Sequence, residues 1–270
     1  MSKYIHRAMV GIFWIGSLAA DIPQAPNALG VSYINAFMKN HDFAILSQGI
    51  SLQYAHKSQS YGSLYQLNLT HAHLNPSDKR TAPQQASNIG VMAIYDFALR
   101  KSARGYHLLG LEFGLGSGFP TQQDNQFDES NFLLNLDYGY VFELENIALY
   151  PYARLEQYIF FPHKSGADPT DYGLNVFVGL KLIQERSAWQ WWVNLGVFSD
   201  CNLSGNGVGI LGDHSIIYDR DGLSNGVLTE GGLWLMTRER FSLQARVSAS
   251  YALSYYEVNL KSALVGIWHF

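Results

Sequence analysis

RFSLQARVSASYALSYY, residues 240–256, decides how this chain folds. Its odd positions read Phe241, Leu243, Ala245, Val247, Ala249, Tyr251, Leu253 and Tyr255. Its even positions read Arg240, Ser242, Gln244, Arg246, Ser248, Ser250, Ala252 and Ser254. A helix would scatter the serines and arginines around its circumference, whereas a strand gathers them on one face. The stretch is therefore read as one long strand, Arg240–Tyr256, apolar on one side and polar on the other.

The same alternation recurs along the chain. From Tyr172 to Leu182, Leu174, Val176, Val178 and Leu180 face one way, and Asn175, Phe177, Gly179 and Lys181 the other. The spacing predicts further strands over Leu29–Met38, Phe43–His56, Tyr61–His73, Asn88–Arg100, Gly105–Gly116 and Asn131–Phe142. Ile147–Tyr158, Trp189–Phe198, Asn225–Met236 and Val258–Phe270 complete the set. Their connections alternate in length. Short ones fall at Lys57–Ser60, Lys101–Arg104, Glu143–Asn146, Glu185–Ser187 and Thr237–Glu239. Long ones fall at Leu74–Ser87, Ser117–Ser130, Pro162–Asp171 and Ser199–Ser224. Every long loop thus lies at one end, a pattern of membrane barrels with brief turns inside and extended loops outside. The fold class expected is all-β: a transmembrane antiparallel up-and-down β-barrel of about 12 strands. The short first and last outer connections, near Asn40 and Glu257, leave 10 or 14 open.

Composition agrees. Charged residues make up 15% of the 270, against about 25% in a soluble domain, and aromatics reach 14% with 17 Tyr, 15 Phe and 6 Trp. Mean hydropathy is nevertheless −0.06, as expected when each strand averages a greasy and a polar face. A soluble sandwich or lipocalin-like barrel would share this composition, but not the loop asymmetry. A net charge of −4 gives no basic footprint for nucleic acid. Cys201 is the lone cysteine, so no intrachain disulfide and no cysteine-based metal site is expected. Its position also argues against lipid anchoring near the N-terminus.

Lys3 and Arg7 precede an apolar run, Ala8 to Ala20, that ends Ser17-Leu18-Ala19-Ala20. A basic start, a short apolar core and small residues at its end mark a cleavable export signal. The expected organisation is residues 1–19 as signal peptide, cut after Ala19 (or Ala20 or Ala25), 20–27 as a short periplasmic lead-in, and 28–270 as one barrel domain. In a bilayer every backbone polar group must pair within the protein, which leaves helices or closed sheets. Trp189, Trp191, Trp192, Trp234 and Trp268 are candidates for the aromatic girdle at the interfaces.

The C-terminus ends on an aromatic with apolar residues at alternate positions behind it, Phe270, Trp268 and Leu264. This resembles the closing strand of Gram-negative outer-membrane β-barrel proteins, which their barrel-assembly machinery reads. The resemblance implies a location in the cell outer membrane, with membrane lipid, lipopolysaccharide and that machinery as partners. A second likeness is narrower: Tyr138-Gly-Tyr-Val-Phe-Glu-Leu followed by Pro151-Tyr-Ala-Arg-Leu-Glu is similar to a strand pair in autotransporter translocator barrels. Those carry a large upstream passenger and this chain shows none, so the likeness implies a solitary barrel of that general kind.

Function is sought on the inward face. Asp96, Glu112, Asp137, Tyr150, Tyr152, Arg154, Glu156, Lys181, Arg246 and Lys261 are the candidate lumen-lining residues, with Arg100 and Arg240 sharing their parity. Both signs occur without an evident excess. A paired, hydrated interior that stabilises the barrel is one reading, and the lining of a small-solute channel the other. A surface-interaction barrel without transport is the alternative of a different class. Barrel lipases and deacylases place a His two before a Ser that Asn and Gly follow; here Ser224-Asn225-Gly226 has Gly222 at that place, so no enzyme and no catalytic residue is expected. His214 beside Ser215, and His71 with His73, complete no triad or metal set. Asp219-x-Asp221-Gly222 lacks the remaining ligands of a calcium loop. No cofactor or metal is expected.

Overall fold

The computed structural model describes residues 26–39, 41, 43–58, 60–77, 83–102, 104–120, 129–162, 171–184, 190–204, 206–211, 214–219, 222–238, 240–253 and 256–270. The signal-peptide segment lies outside them. Fourteen strands form: β1 (Asn27–Lys39), β2 (Phe43–Lys57), β3 (Tyr61–Pro76), β4 (Gln84–Lys101), β5 (Gly105–Pro120), β6 (Glu129–Glu143), β7 (Ile147–Pro162), β8 (Asp171–Gln184), β9 (Trp191–Ser204), β10 (Asn206–Leu211), β11 (His214–Asp219), β12 (Gly222–Thr237), β13 (Phe241–Ala252) and β14 (Glu257–His269). Twelve of them close into one antiparallel barrel, each beside its sequence neighbour except at β9–β12, where the two-stranded β10–β11 sheet intervenes. β1 pairs with β14 from Ala28↔His269 to Lys39↔Val258. The last backbone group takes part: Phe270 N–H donates to Asn27 O at 3.0 Å, and Asn27 N–H to Phe270 O at 3.2 Å. No strand of the barrel is left with a bare edge, which is the condition for crossing hydrocarbon.

Side-chain burial follows period two, and the wall has the polarity the alternation predicts. Val178, Val197 and Val247 are 57–61% exposed on the outside, while Asn135, Ser51 and Gln244 are fully enclosed on the inside. Large apolar side chains are exposed on every barrel strand. In water each would forgo on the order of 1 kcal/mol of burial, and the contiguous patch far exceeds what a soluble monomer carries. At the short-turn end an aromatic belt rings the outside. Tyr54 stacks on Tyr65 at 6.3 Å, His107 on Tyr138 at 5.8 Å, and Phe241 packs against Trp268 at 5.1 Å.

Three expectations are corrected. The strand beginning near Arg240 stops at Ala252, because Tyr256 takes φ 53° in the turn to β14; a non-glycine residue there marks a tight reversal, and the alternation of Ser254, Tyr255 and Tyr256 runs past it. The long connection Ser199–Ser224 is not all loop: β9 extends to Ser204, β12 starts at Gly222, and the β10–β11 hairpin lies between them. β1 begins at Asn27. The tryptophans divide as well. Trp268 is exposed on the outside and Trp191 shares the outward parity of Leu195, but Trp192 and Trp234 are buried inside the barrel. Adjacent residues of a strand face opposite ways, so Trp191 and Trp192 cannot both join a girdle. Trp234 sits beside a bulge between Trp234 and Met236, after which Leu235 and Met236 both face out. Trp189 lies outside the described residues.

Candidate functional site

The inward face of the barrel is built in rows, because register partners on neighbouring strands point the same way. One row runs Asp96 (β4), Gly110 (β5), Asp137 (β6), Arg154 (β7). The next runs Glu112 (β5), Asn135 (β6), Glu156 (β7), Asn175 (β8). On the short-turn side a third joins Tyr150, Lys181, Asn194, Glu230, Ser248 and Lys261 from β7 through β14. These rows surround one internal cavity of about 280 Å³.

All ten sequence-nominated residues line it: Asp96, Glu112, Asp137, Tyr150, Tyr152, Arg154, Glu156, Lys181, Arg246 and Lys261. Arg240 does not; it is exposed at the β12–β13 turn. The Arg100 side chain lies outside the described residues. Glu230 and Glu257 also reach the wall, and reading by sequence missed them. Glu230 shares the parity of the inward Trp234, so the weak alternation of Asn225–Met236 was the signal that would have found it. Among the described residues six carboxylates and four cations face the cavity, an acidic excess where the sequence suggested balance.

Polar contacts tie much of this lining together. Arg154 grips Asp137 with two donors, Nε to Oδ1 at 2.6 Å and Nη2 to Oδ2 at 3.1 Å. Such a planar fork is the strongest ion-pair geometry available. Asn135 donates to Glu112 at 2.9 Å and Asn175 to Glu156 at 2.8 Å. Asn194 donates both to the Tyr152 hydroxyl at 2.8 Å and to Glu230 at 3.1 Å. The Lys181 ammonium lies 4.7 Å from the centre of the Trp192 ring. Asp96 and Asp137 lean into the space above Gly110: a Cβ placed there would come within 2.9 Å of Asp96 Oδ1. A larger residue there would push the Asp96 carboxylate aside.

Below the charged rows the lumen changes character. Tyr106, Leu108, Val141, Ala148, Tyr150, Ile183, Trp192 and Trp234 form a buried apolar cluster near the short turns, with Tyr152 against its edge. Tyr150 and Tyr152, stacked at 5.2 Å, join this floor to the charges above. At the other end β10 lies against β4, β5 and β6, so the hairpin reaches well away from the strands it connects. The side chains of His214 and Ser215 lie outside the described residues. His71 and His73 are ring neighbours at 4.7 Å on the outer wall, away from the cavity. Among the described residues no cluster of three or more His, Cys, Asp or Glu has metal-binding geometry. Phe270, Trp268 and Leu264 all face outward on and just past β14.

No protein-family model and no curated sequence matches the chain. Solved structures do match. The translocator domain of the autotransporter NalP from Neisseria meningitidis superposes with a TM-score of 0.63 at 13% identity, over 93% of this chain and 90% of that one. The transport unit of the autotransporter AIDA-I from Escherichia coli gives 0.60 at 9%, over 100% and 98%. An outer membrane channel from Pseudomonas putida F1 gives 0.59 at 14%, over 92% and 96%. At these identities the likeness is one of fold: a closed 12-stranded barrel of the outer-membrane type.

Proposed function

We propose that this chain is an outer-membrane barrel of a Gram-negative envelope that passes small polar solutes through a narrow lumen, with the apolar floor as its constriction. In this reading residues 1–19 are removed on export, the short turns face the periplasm and the long loops face outward. One observation carries it: inward charged side chains of both signs, the Arg154–Asp137 pair among them, gather around an internal cavity. Among the described residues six carboxylates against four cations favour small cations over anions, and the apolar cluster of β5–β9 and β12 below them limits flow by excluding water. Planar-bilayer recordings of the refolded protein are expected to show small, cation-favouring steps. Replacing Trp192 and Trp234 with Ala removes the two largest floor side chains and is expected to raise the conductance. Absence of current from both proteins refutes transport.

A second reading, a surface-interaction barrel that moves no solute, draws on the closure of the floor. Trp192, Tyr106, Val141 and Ile183 are each at most 2% exposed. This reading expects silence from the wild type and from the Trp variants alike. The partners that follow from either reading are membrane lipid, lipopolysaccharide and the assembly machinery that reads Phe270, Trp268 and Leu264. We assign no hydrolytic activity. Ser242 Oγ lies 3.1 Å from His269 Nε2 and Ser87 Oγ 3.2 Å from His71 Nδ1, but among the described residues no carboxylate is bonded to either imidazole to orient it as a base. Phospholipid and lipid A incubated with the protein are expected to remain intact, and released acyl chains would overturn this.

A further inference from the structure

Most of the outer wall is apolar at mid-height, but one row is not. Ser262 on β14, Asn35 on β1, Gln48 on β2 and His71 on β3 are successive register partners. They share the outward parity of Leu264, Tyr33, Ile50 and Leu69, which lie below them towards the short turns. On three of the four strands apolar residues lie above them as well: Leu260, Phe37 and Leu46. A strand tilted about 40° gains about 2.5 Å of height per residue, so Gln48 stands roughly 15 Å above Tyr54 in the aromatic belt. That is inside an apolar band about 25 Å tall. The row crosses the closure of the barrel and spans roughly 14 Å, three strand spacings.

His71 shares a hydrogen bond with Ser87, whereas Asn35, Gln48 and Ser262 make no side-chain hydrogen bond among the described residues. Acyl chains offer no donors or acceptors, and lipid headgroups lie beyond Leu260, Phe37 and Leu46. Polar side chains facing hydrocarbon are costly, and another protein surface is what recovers the cost.

We propose that this row is a self-association surface, against which a second copy of the chain packs in the plane of the bilayer; the inference rests on the membrane reading above. Asn, Gln and Ser each donate and accept, so the row is complementary to its own two-fold copy, the requirement of an isologous dimer. It carries no carboxylate or lysine that would meet its like across the axis. Beside it, on the same wall, a recess of about 550 Å³ is lined by Leu52, Tyr65, Leu67, Val91, Phe113 and Leu115. Protruding side chains of the second copy have room there.

The test is energy transfer between donor- and acceptor-labelled pools of the full chain, reconstituted together in phosphatidylcholine vesicles at low protein-to-lipid ratio. Wild-type protein is expected to show transfer. The double variant Asn35→Leu and Gln48→Leu is expected to weaken association by about tenfold. Gln157→Leu, an outward polar change on β7 across the barrel, is expected to leave it unaltered. Transfer that survives the double variant, or none in wild-type protein that floats with the vesicles and keeps its strand content, overturns the proposal. Failure to float would instead refute the membrane reading. As a check independent of the double variant's folding, Asn35→Cys in a Cys201→Ser background is expected to cross-link on oxidation, and an uncross-linked product counts against the dimer.

Discussion

Arg154 reaches the lumen with five donors and spends two on Asp137, and no other residue shows as clearly how the interior is held. A half-buried fork of this kind contributes little over an apolar pair of equal size, yet losing one partner strands the other charge. Arg154→Met is therefore expected to destabilise the folded barrel by about 1–2 kcal/mol, read as a lower urea midpoint for unfolding from vesicles. Adding Asp137→Leu is expected to recover much of that loss; a double variant as unstable as the sum of the singles would contradict the pairing. At this scale the sequence was legible in parity and not in partnership. Alternation named Asp137 and Arg154 as inward, but their adjacency needed the β6–β7 register. Gly173 makes the same point. In the sequence it was one more inward residue, whereas in the barrel the Tyr158 ring fills the place its side chain would take.

Strands were readable because their period is short and their faces differ; their ends were not, because pairing with a neighbour sets where each one stops. β4 runs 18 residues, from Gln84 to Lys101, well beyond the alternating core Asn88–Arg100, since β3 and β5 continue to pair with it. The β10–β11 hairpin escaped notice for a related reason: six-residue strands rich in glycine, such as NGVGIL, carry too few alternations to register. The Trp192–Trp234 floor was missed because both residues were weighed by type and not by parity. β14 is the element whose reading extends furthest. It closes the barrel against both β1 and β13, and its Phe270 pairs by backbone with Asn27. Removing Phe270 deletes two closing hydrogen bonds and the terminal aromatic together. The expected outcome is a fall in the folded fraction recovered from outer membranes, with less change in spontaneous refolding into detergent. Equal recovery from membranes would contradict the assembly role.

The whole molecule follows from applying the two-residue period to a sheet with no edge. Twelve strands of alternating polarity, closed on themselves, put lipid-compatible side chains outside and a charged space inside, and the alternating loop lengths already implied which ends lie together. The acidic excess of the lumen and the polar row at mid-height were not legible, because each is a sum over strands distant in sequence. The claim beneath all of this is that the two faces of each strand meet different media. Nitroxide labels placed singly from Asn175 to Lys181 on β8, in vesicles, test it most directly. The account predicts oxygen accessibility that peaks at Val176, Val178 and Leu180 and falls at Asn175, Phe177, Gly179 and Lys181. A flat profile, or peaks at the second set, would contradict it.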